Sequence, residues 1–99
     1  MAEQHEWAAP ESLTIYEVAE LERTFTAGDS YTKDRIYDLA ATREVDSCGL
    51  QWLVAVRARL RAEGASLRLL NVDEPVVESM KLLGIGFLLD HALEDSPHV

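Results

Sequence analysis

The residues best suited to chemistry stand together in one short segment, EVDSCGL, residues 44–50. It places a carboxylate, a hydroxyl, a thiol and a glycine immediately before an apolar helical pattern. Such a combination fits three roles: a helix cap, a nucleophile, or a site where charge is added and removed. The elements around the segment must decide among them.

Nucleophilic chemistry at Ser47 or Cys48 is the first alternative. Hydrolysis needs a positioned base and an oxyanion site. The helix end supplies donors for an oxyanion, but no histidine is expected nearby, because all three lie near the chain termini. We therefore predict a protein that is not an enzyme. Redox sensing by Cys48 is a further alternative, since a helix N-terminus lowers the pKa of a thiol; a lone cysteine is more often a small buried hydrophobe.

Cofactor binding has little support in the sequence. The histidines, His5, His91 and His98, have no spacing typical of metal ligands. There is also no glycine-rich phosphate loop. We therefore expect no metal, no nucleotide pocket and no other cofactor.

Composition and charge limit the class of partner. The 99 residues are enough for one domain with a single core, and 47% are hydrophobic. A net charge of −9 repels phosphate backbones and anionic membranes, so nucleic acid and lipid headgroups are not expected as partners. A protein partner with a basic face is favoured, although charge that only keeps the chain in solution is the alternative.

Apolar runs in the chain are short and interrupted by charges, so no segment is expected to span a bilayer. The N-terminus lacks a basic region followed by an apolar stretch, and the single cysteine excludes an internal disulfide. These features predict a cytoplasmic protein.

Three segments have the composition of strands: Leu13–Tyr16, Asp34–Ala40 and Ser66–Val72. The last is nearly continuous in apolar residues, which is typical of a strand buried on both sides. The domain core is expected over residues 13–89. Residues 1–11 and 94–99 are expected to be loosely ordered, with a short edge strand as the alternative near the N-terminus. IGFLLD, residues 85–90, predicts a last strand or a turn.

Helical patterns separate these strands. The first has Val18, Leu21 and Phe25 on one narrow stripe and ends at Gly28 and Asp29. The second helix begins after Asp46 or Ser47 as N-cap and runs to about Glu63. Its apolar face consists of Leu50, Leu53, Val54 and Leu60.

The third helix follows Asp73 as its cap, has Pro75 in its first turn, and ends before Gly84. Its expected buried residues are Val76, Val77, Met80 and Leu83. Strands that alternate with helices pair in parallel through right-handed crossovers. The predicted fold class is therefore α/β: a small, largely parallel sheet of about four strands with helices packed against it.

Three segments of the chain together resemble a known family. LTIYEVAELERTF, YDLAATREVDSCGLQWLV and LRLLNVDEPVVESMKLLGI together resemble a STAS domain, the fold of the anti-sigma-factor antagonists, from about residue 13 to residue 89. The most specific part is an acid, a Ser or Thr, a small residue, Gly and Leu at a helix start after a D-L strand. In this chain those residues are Asp46, Ser47, Cys48, Gly49 and Leu50, with Asp38 and Leu39 in the strand.

The resemblance implies a non-enzymatic regulatory module in bacterial signalling, linked to sigma factors or chemotaxis. The Ser or Thr after the acid is the residue that a partner serine kinase phosphorylates in this family, and Ser47 matches it. Partner contacts are expected from Asp38, Asp46, Ser47, Cys48, Gly49, Gln51 and Trp52. The alternative within the family is a STAS subunit that binds the ATPase of a phospholipid-transport ABC complex.

Trp52 is a separate inference from the helical pattern. It projects away from the centre of the apolar face, so we expect it to lie half outside the core as an interface anchor. Such an anchor would contact either a different protein or a second copy of the chain. The alternative is that a loop or the N-terminal segment covers the ring.

Overall fold

A parallel sheet of three strands forms the centre of the computed structural model, which describes residues 4–28 and 31–89. In chain order the strands are β1 (Gln4–Ala8), β2 (Ser12–Leu13), β3 (Asp34–Asp38), β4 (Glu44–Val45) and β5 (Leu67–Leu70). The larger sheet has the order β1-β3-β5, and β2 pairs with β4 in parallel as a separate two-stranded extension.

Three helices connect and follow these strands: α1 (Ile15–Gly28), α2 (Ser47–Ala62) and α3 (Glu74–Leu82). A 3₁₀ turn, Gly86–Leu89, completes the described chain. The α/β class, the strand–helix alternation and the parallel pairing are confirmed. The sheet has three strands plus a two-residue pair, where about four strands were expected.

The helices cover one face of the sheet. Each crossover moves in the same direction, from β1 to β3 to β5, so right-handed connections place α1 and α2 on the same side. Along β3 and β5, alternate residues are buried: Tyr37 and Leu69 lie in the core, whereas Leu70 is exposed. The expectation that the third predicted strand is buried on both sides is therefore wrong, because within the described residues no helix covers its second face.

The start of α1 differs from the prediction for Leu13–Tyr16. The strand ends at Leu13, and the backbone N–H and hydroxyl of Thr14 both donate to Glu17 Oε1, at 2.8 and 2.6 Å. Val18 N–H donates to Thr14 O at 2.9 Å, so Thr14 is the cap of α1. This T-x-x-E capping box begins the helix at Ile15 and overrides the strand preference of the segment.

The N-terminal segment forms the edge strand that was the alternative to loose order. β1 pairs with β3 in register from Gln4↔Asp34 to Ala8↔Asp38. Loose order is therefore wrong for residues 4–8, whereas residues 94–99 lie outside the described part of the chain.

The end of α3 also differs from expectation. The helix ends at Leu82, so Leu83 lies beyond its last turn and is exposed, while Val76 and Met80 are buried as expected. The segment after Gly84 forms a 3₁₀ turn instead of a strand. The α1 predictions for the Phe25 side chain and for Asp29 lie outside the described residues.

Candidate functional site

The helix cap in EVDSCGL is Asp46. Its Oδ1 accepts a hydrogen bond from Gly49 N–H at 2.9 Å, and its carbonyl accepts from Leu50 N–H at 3.1 Å. Ser47 is the first residue of α2. Of the two cap candidates in the sequence, the structure selects the acid, and the serine hydroxyl is not needed to begin the helix.

The Ser47 side chain is exposed at this helix start. Within residues 4–28 and 31–89 its hydroxyl makes no hydrogen bond with another residue. A hydroxyl at the first helical position lies beside backbone N–H groups that have no partner in the helix. It is therefore open to a reagent or a partner that approaches from solvent.

Asp46 also joins the two helices. Its second oxygen, Oδ2, accepts from Ile15 N–H, the first residue of α1, at 3.0 Å, and its own N–H donates to Leu13 O at 3.3 Å. The hydrogen bond from Gly49 N–H is the largest cause that lowers the pKa of the Asp46 carboxyl. Ser47 therefore stands beside a fixed negative charge.

Gly49 is required by the close approach of α2 to β2. A Cβ at this position would lie 2.0 Å from the carbonyl oxygen of Leu13, and Leu13 itself is fully buried. Backbone atoms cannot move aside as a flexible side chain can. Only glycine therefore allows the start of α2 to lie this close to the chain that leads into α1.

Gln51 and Cys48 complete the predicted segment. Gln51 is exposed and lies four residues after Ser47, so the two side chains share one face of α2. Cys48 is half-buried. The part of α2 that is exposed next to Ser47 is thus polar.

Trp52 does not occupy the position expected of an interface anchor. It is 4% exposed, and its Nε1–H donates to Glu22 Oε1 at 2.9 Å. The ring packs edge-on against Trp7 of β1, at 5.8 Å between centroids, and stacks with Tyr37 at 6.0 Å. The prediction that Trp52 lies half outside the core is wrong, because the N-terminal strand covers it.

Asp38 ends β3 and holds the connection that leads to the site. Its Oδ1 accepts from Ala40 N–H at 2.9 Å and from Asn71 Nδ2 at 3.1 Å. The bond from Asn71, followed by the bond from Ala40, lowers the pKa of the Asp38 carboxyl. Asp38 therefore joins the ends of β3 and β5, and its hydrogen bonds with Ala40 and Asn71 do not involve Ser47.

Two residues beside the site were missed by sequence reasoning. Ile15 is 55% exposed and Tyr16 is 84% exposed, although both are apolar or aromatic. The sequence analysis assigned both residues to a strand, so it did not place them at the exposed start of a helix. The T-x-x-E spacing of Thr14 and Glu17 was the signal for a helix start.

The family model for the STAS domain matches residues 8–98. This chain belongs to the STAS-domain family. STAS domains are non-enzymatic interaction modules, so the surface at the start of α2 is a candidate contact surface, and the expected resemblance is confirmed. No curated protein matches the chain.

The chemistry open to this STAS domain follows from the helix start. An exposed alcohol at the first helical position can accept a phosphoryl group, and the helix N-terminus tolerates the resulting anion. The Asp46 carboxylate, which is held by Gly49 and Ile15, adds negative charge at the same place. The site thus combines a hydroxyl that can accept a phosphoryl group, Ser47, with the negative charge of Asp46.

Within the described ranges, no group of three or more His, Cys, Asp or Glu residues could hold a metal ion. None of the helices there has the length and apolar character needed to cross a membrane.

Proposed function

We propose that this STAS domain is a regulatory interaction module of the anti-sigma-factor antagonist type, which a partner serine kinase switches by phosphorylating Ser47. The kinase and the domain act in cytoplasmic bacterial signalling, linked to a sigma factor or to chemotaxis. One observation carries the proposal. Asp46 caps α2 through Gly49, so the exposed hydroxyl of Ser47 is left without a role in the fold.

The proposed reaction is a phosphoryl transfer from ATP that the kinase binds. The Ser47 oxygen bonds to the γ-phosphorus, the bond from that phosphorus to the oxygen of the leaving ADP breaks, and a base of the kinase takes the hydroxyl proton. The product carries roughly 1.5 to 2 additional negative charges next to Asp46.

The added charge affects the fold and the complex differently. At a helix N-terminus an anion is favourable by about 0.3 to 1 kcal/mol, so the domain stays folded. In an interface the phosphate lies beside Asp46 and is partly removed from water, and like charges in contact cost several kcal/mol. Each ~1.4 kcal/mol lowers affinity tenfold, so phosphorylation separates the partners while leaving the domain intact.

Intact-mass measurement of the protein isolated from its native cells tests the modification. The expected result is one phosphate adduct that disappears in Ser47→Ala and persists in Cys48→Ala, the neighbouring control. A protein without the adduct under every signalling condition of those cells would contradict the switch.

Binding of the same variants tests the consequence and separates the alternative. Ser47→Asp is expected to lose the partner and Ser47→Ala to keep it. If both variants lose a partner, Ser47 makes a direct contact, as in a STAS subunit bound to the ATPase of a phospholipid-transport ABC complex. The observation that supports this second function is the exposed Ser47 hydroxyl, which makes no hydrogen bond within the described residues and can contact a partner directly.

A further inference from the structure

We infer that the face of the sheet opposite the helices holds a docking site for an arginine side chain of a partner protein. The site is a groove that contains two carboxylates, Glu6 and Asp38, together with apolar side chains. This inference goes beyond the proposed function, because it assigns a second surface of the domain and does not depend on phosphorylation of Ser47.

The groove is formed by neighbouring positions on the three central strands. Ala8 pairs with Asp38, and Asp38 pairs with Leu70, so these side chains lie in one row across the sheet. Glu6 and Ile36 pair with each other in the row two residues earlier. These five residues and Trp7 line the groove, which has a volume of about 290 Å³.

The size of the groove suits one side chain. Pockets that bind small molecules measure about 300–1,000 Å³, so this volume of about 290 Å³ lies at their lower limit. Ala8 has the smallest side chain of the lining, and its place beside Asp38 leaves the space between the two rows open.

Both carboxylates in the groove are available to a ligand. Oδ1 of Asp38 accepts from Ala40 N–H at 2.9 Å and from Asn71 Nδ2 at 3.1 Å, whereas Oδ2 makes no hydrogen bond within the described residues. In the same part of the chain, Glu6 forms neither a hydrogen bond nor an ion pair. Arg68 lies on this face of the sheet and is paired with neither carboxylate.

An arginine side chain complements both features of the groove. Its methylene groups pack on Ile36 and on Leu70, which is 37% exposed, while the guanidinium stays at the carboxylates. The strand spacing and the rise per residue place the Cα atoms of Glu6 and Asp38 about 8 Å apart. One planar group with five donors can therefore bond to both, and it loses less hydration than the ammonium of lysine.

The groove is formed before a partner arrives. Its lining belongs to paired strands, and Asp38 is held by its hydrogen bonds with Asn71 and Ala40. The same bonds lower the pKa of the Asp38 carboxyl, so it is charged at neutral pH. Because these groups are already ordered, binding loses little conformational freedom there.

The test is an NMR titration of the full, isotope-labelled chain with an acetylated and amidated Val-Arg-Val peptide. We expect saturable shifts of the amide signals of Ala8, Ile36 and Leu70. The same peptide with citrulline, which has the shape of arginine without its charge, is expected to bind about threefold more weakly or worse. Acetylarginine amide, which lacks the apolar neighbours, is also expected to bind more weakly than the peptide.

Isosteric variants test the two carboxylates. Asp38→Asn keeps the oxygen that accepts from Ala40 and Asn71 and replaces the other oxygen with an amide nitrogen, so the charge is removed while the strand ends stay joined. Asp38→Asn and Glu6→Gln are each expected to weaken binding of the arginine peptide about threefold or more. Glu78→Gln is the matched control: it removes an exposed carboxylate of α3 outside the groove and should leave the affinity unchanged.

Three results would overturn the arginine site: equal binding of the arginine and citrulline peptides, the same loss in Glu78→Gln as in the groove variants, or shifts confined to residues outside β1, β3 and β5. The second of these would mean that the net charge of the chain attracts the peptide. Equal affinity for acetylarginine amide would assign the groove to a small molecule and overturn docking of a protein. None of these measurements involves Ser47, so each outcome leaves the phosphorylation switch to its own test.

Discussion

Asp46 performs two tasks with its two carboxylate oxygens. One oxygen caps α2 through Gly49 N–H, and the other holds Ile15 N–H at the start of α1. The acid that precedes Ser47 is therefore structural as well as electrostatic. A serine alone would not connect segments that are 31 residues apart in the chain.

We expect acid to weaken the fold through this residue. The pKa of Asp46 is lowered in the folded state, chiefly by Gly49 N–H, so its stabilisation is complete above its ordinary pKa of about 4 and is lost as the pH falls through the lower folded value. Urea denaturation at pH 7 and at pH 3 should show a smaller loss of unfolding free energy for Asp46→Asn than for wild type. Equal losses would contradict this role.

Gly49→Ala is expected to destabilise the domain by about 3 kcal/mol, because its Cβ would lie against a backbone carbonyl that is fixed in the core. Gly86→Ala is the control, since its Cβ meets nothing within 4 Å. Chemical denaturation should place the control within about 0.5 kcal/mol of wild type. Similar stability of the two variants would mean that α2 shifts freely against β2.

At the scale of elements, β1 and α2 depend on each other through aromatic rings. Trp7 packs edge-on against Tyr37 at 4.9 Å and against Trp52, whose Nε1–H binds Glu22 of α1. Arg59 of α2 forms an ion pair with the same Glu22. The edge strand and the two helices thus share one cluster on the covered face of the sheet.

Trp7→Ala should therefore destabilise the domain by about 3 kcal/mol, as truncation of a packed aromatic does, and should shift the emission of Trp52 to longer wavelength by exposing it. Trp7→Phe should retain most of the stability. Equilibrium denaturation with fluorescence measures both effects. An unshifted Trp52 spectrum in Trp7→Ala would show that β1 is not what covers the ring.

Local patterns predicted some elements well and others not at all. The cap and apolar face of α2 gave its limits within one residue, because both signals act within a few residues of the helix end. The segment Leu13–Tyr16 was misassigned because its β-like composition concealed the Thr14–Glu17 capping box. Trp52 was misplaced because its cover comes from a strand 45 residues earlier, Trp7 in β1.

At the scale of the whole molecule, the sheet is covered on one side and β3 lies at its centre. β3 is paired with β1 on one side and with β5 on the other. Amide hydrogen exchange should therefore be slowest in β3 and faster in β1, which lies at the edge of the described sheet. Protection of β1 equal to that of β3 would indicate a further partner along that edge.

The sequence by itself determined the α/β class, the family, the start of α2 and the choice of Ser47 as the candidate site. It could do so because caps, periodicity and the D-S-C-G-L segment are short-range signals. Tertiary structure decided that Asp46 reaches Ile15 and that β1 covers Trp52. Each of these depends on segments far apart in the chain meeting at one place, and no local pattern encodes such a meeting.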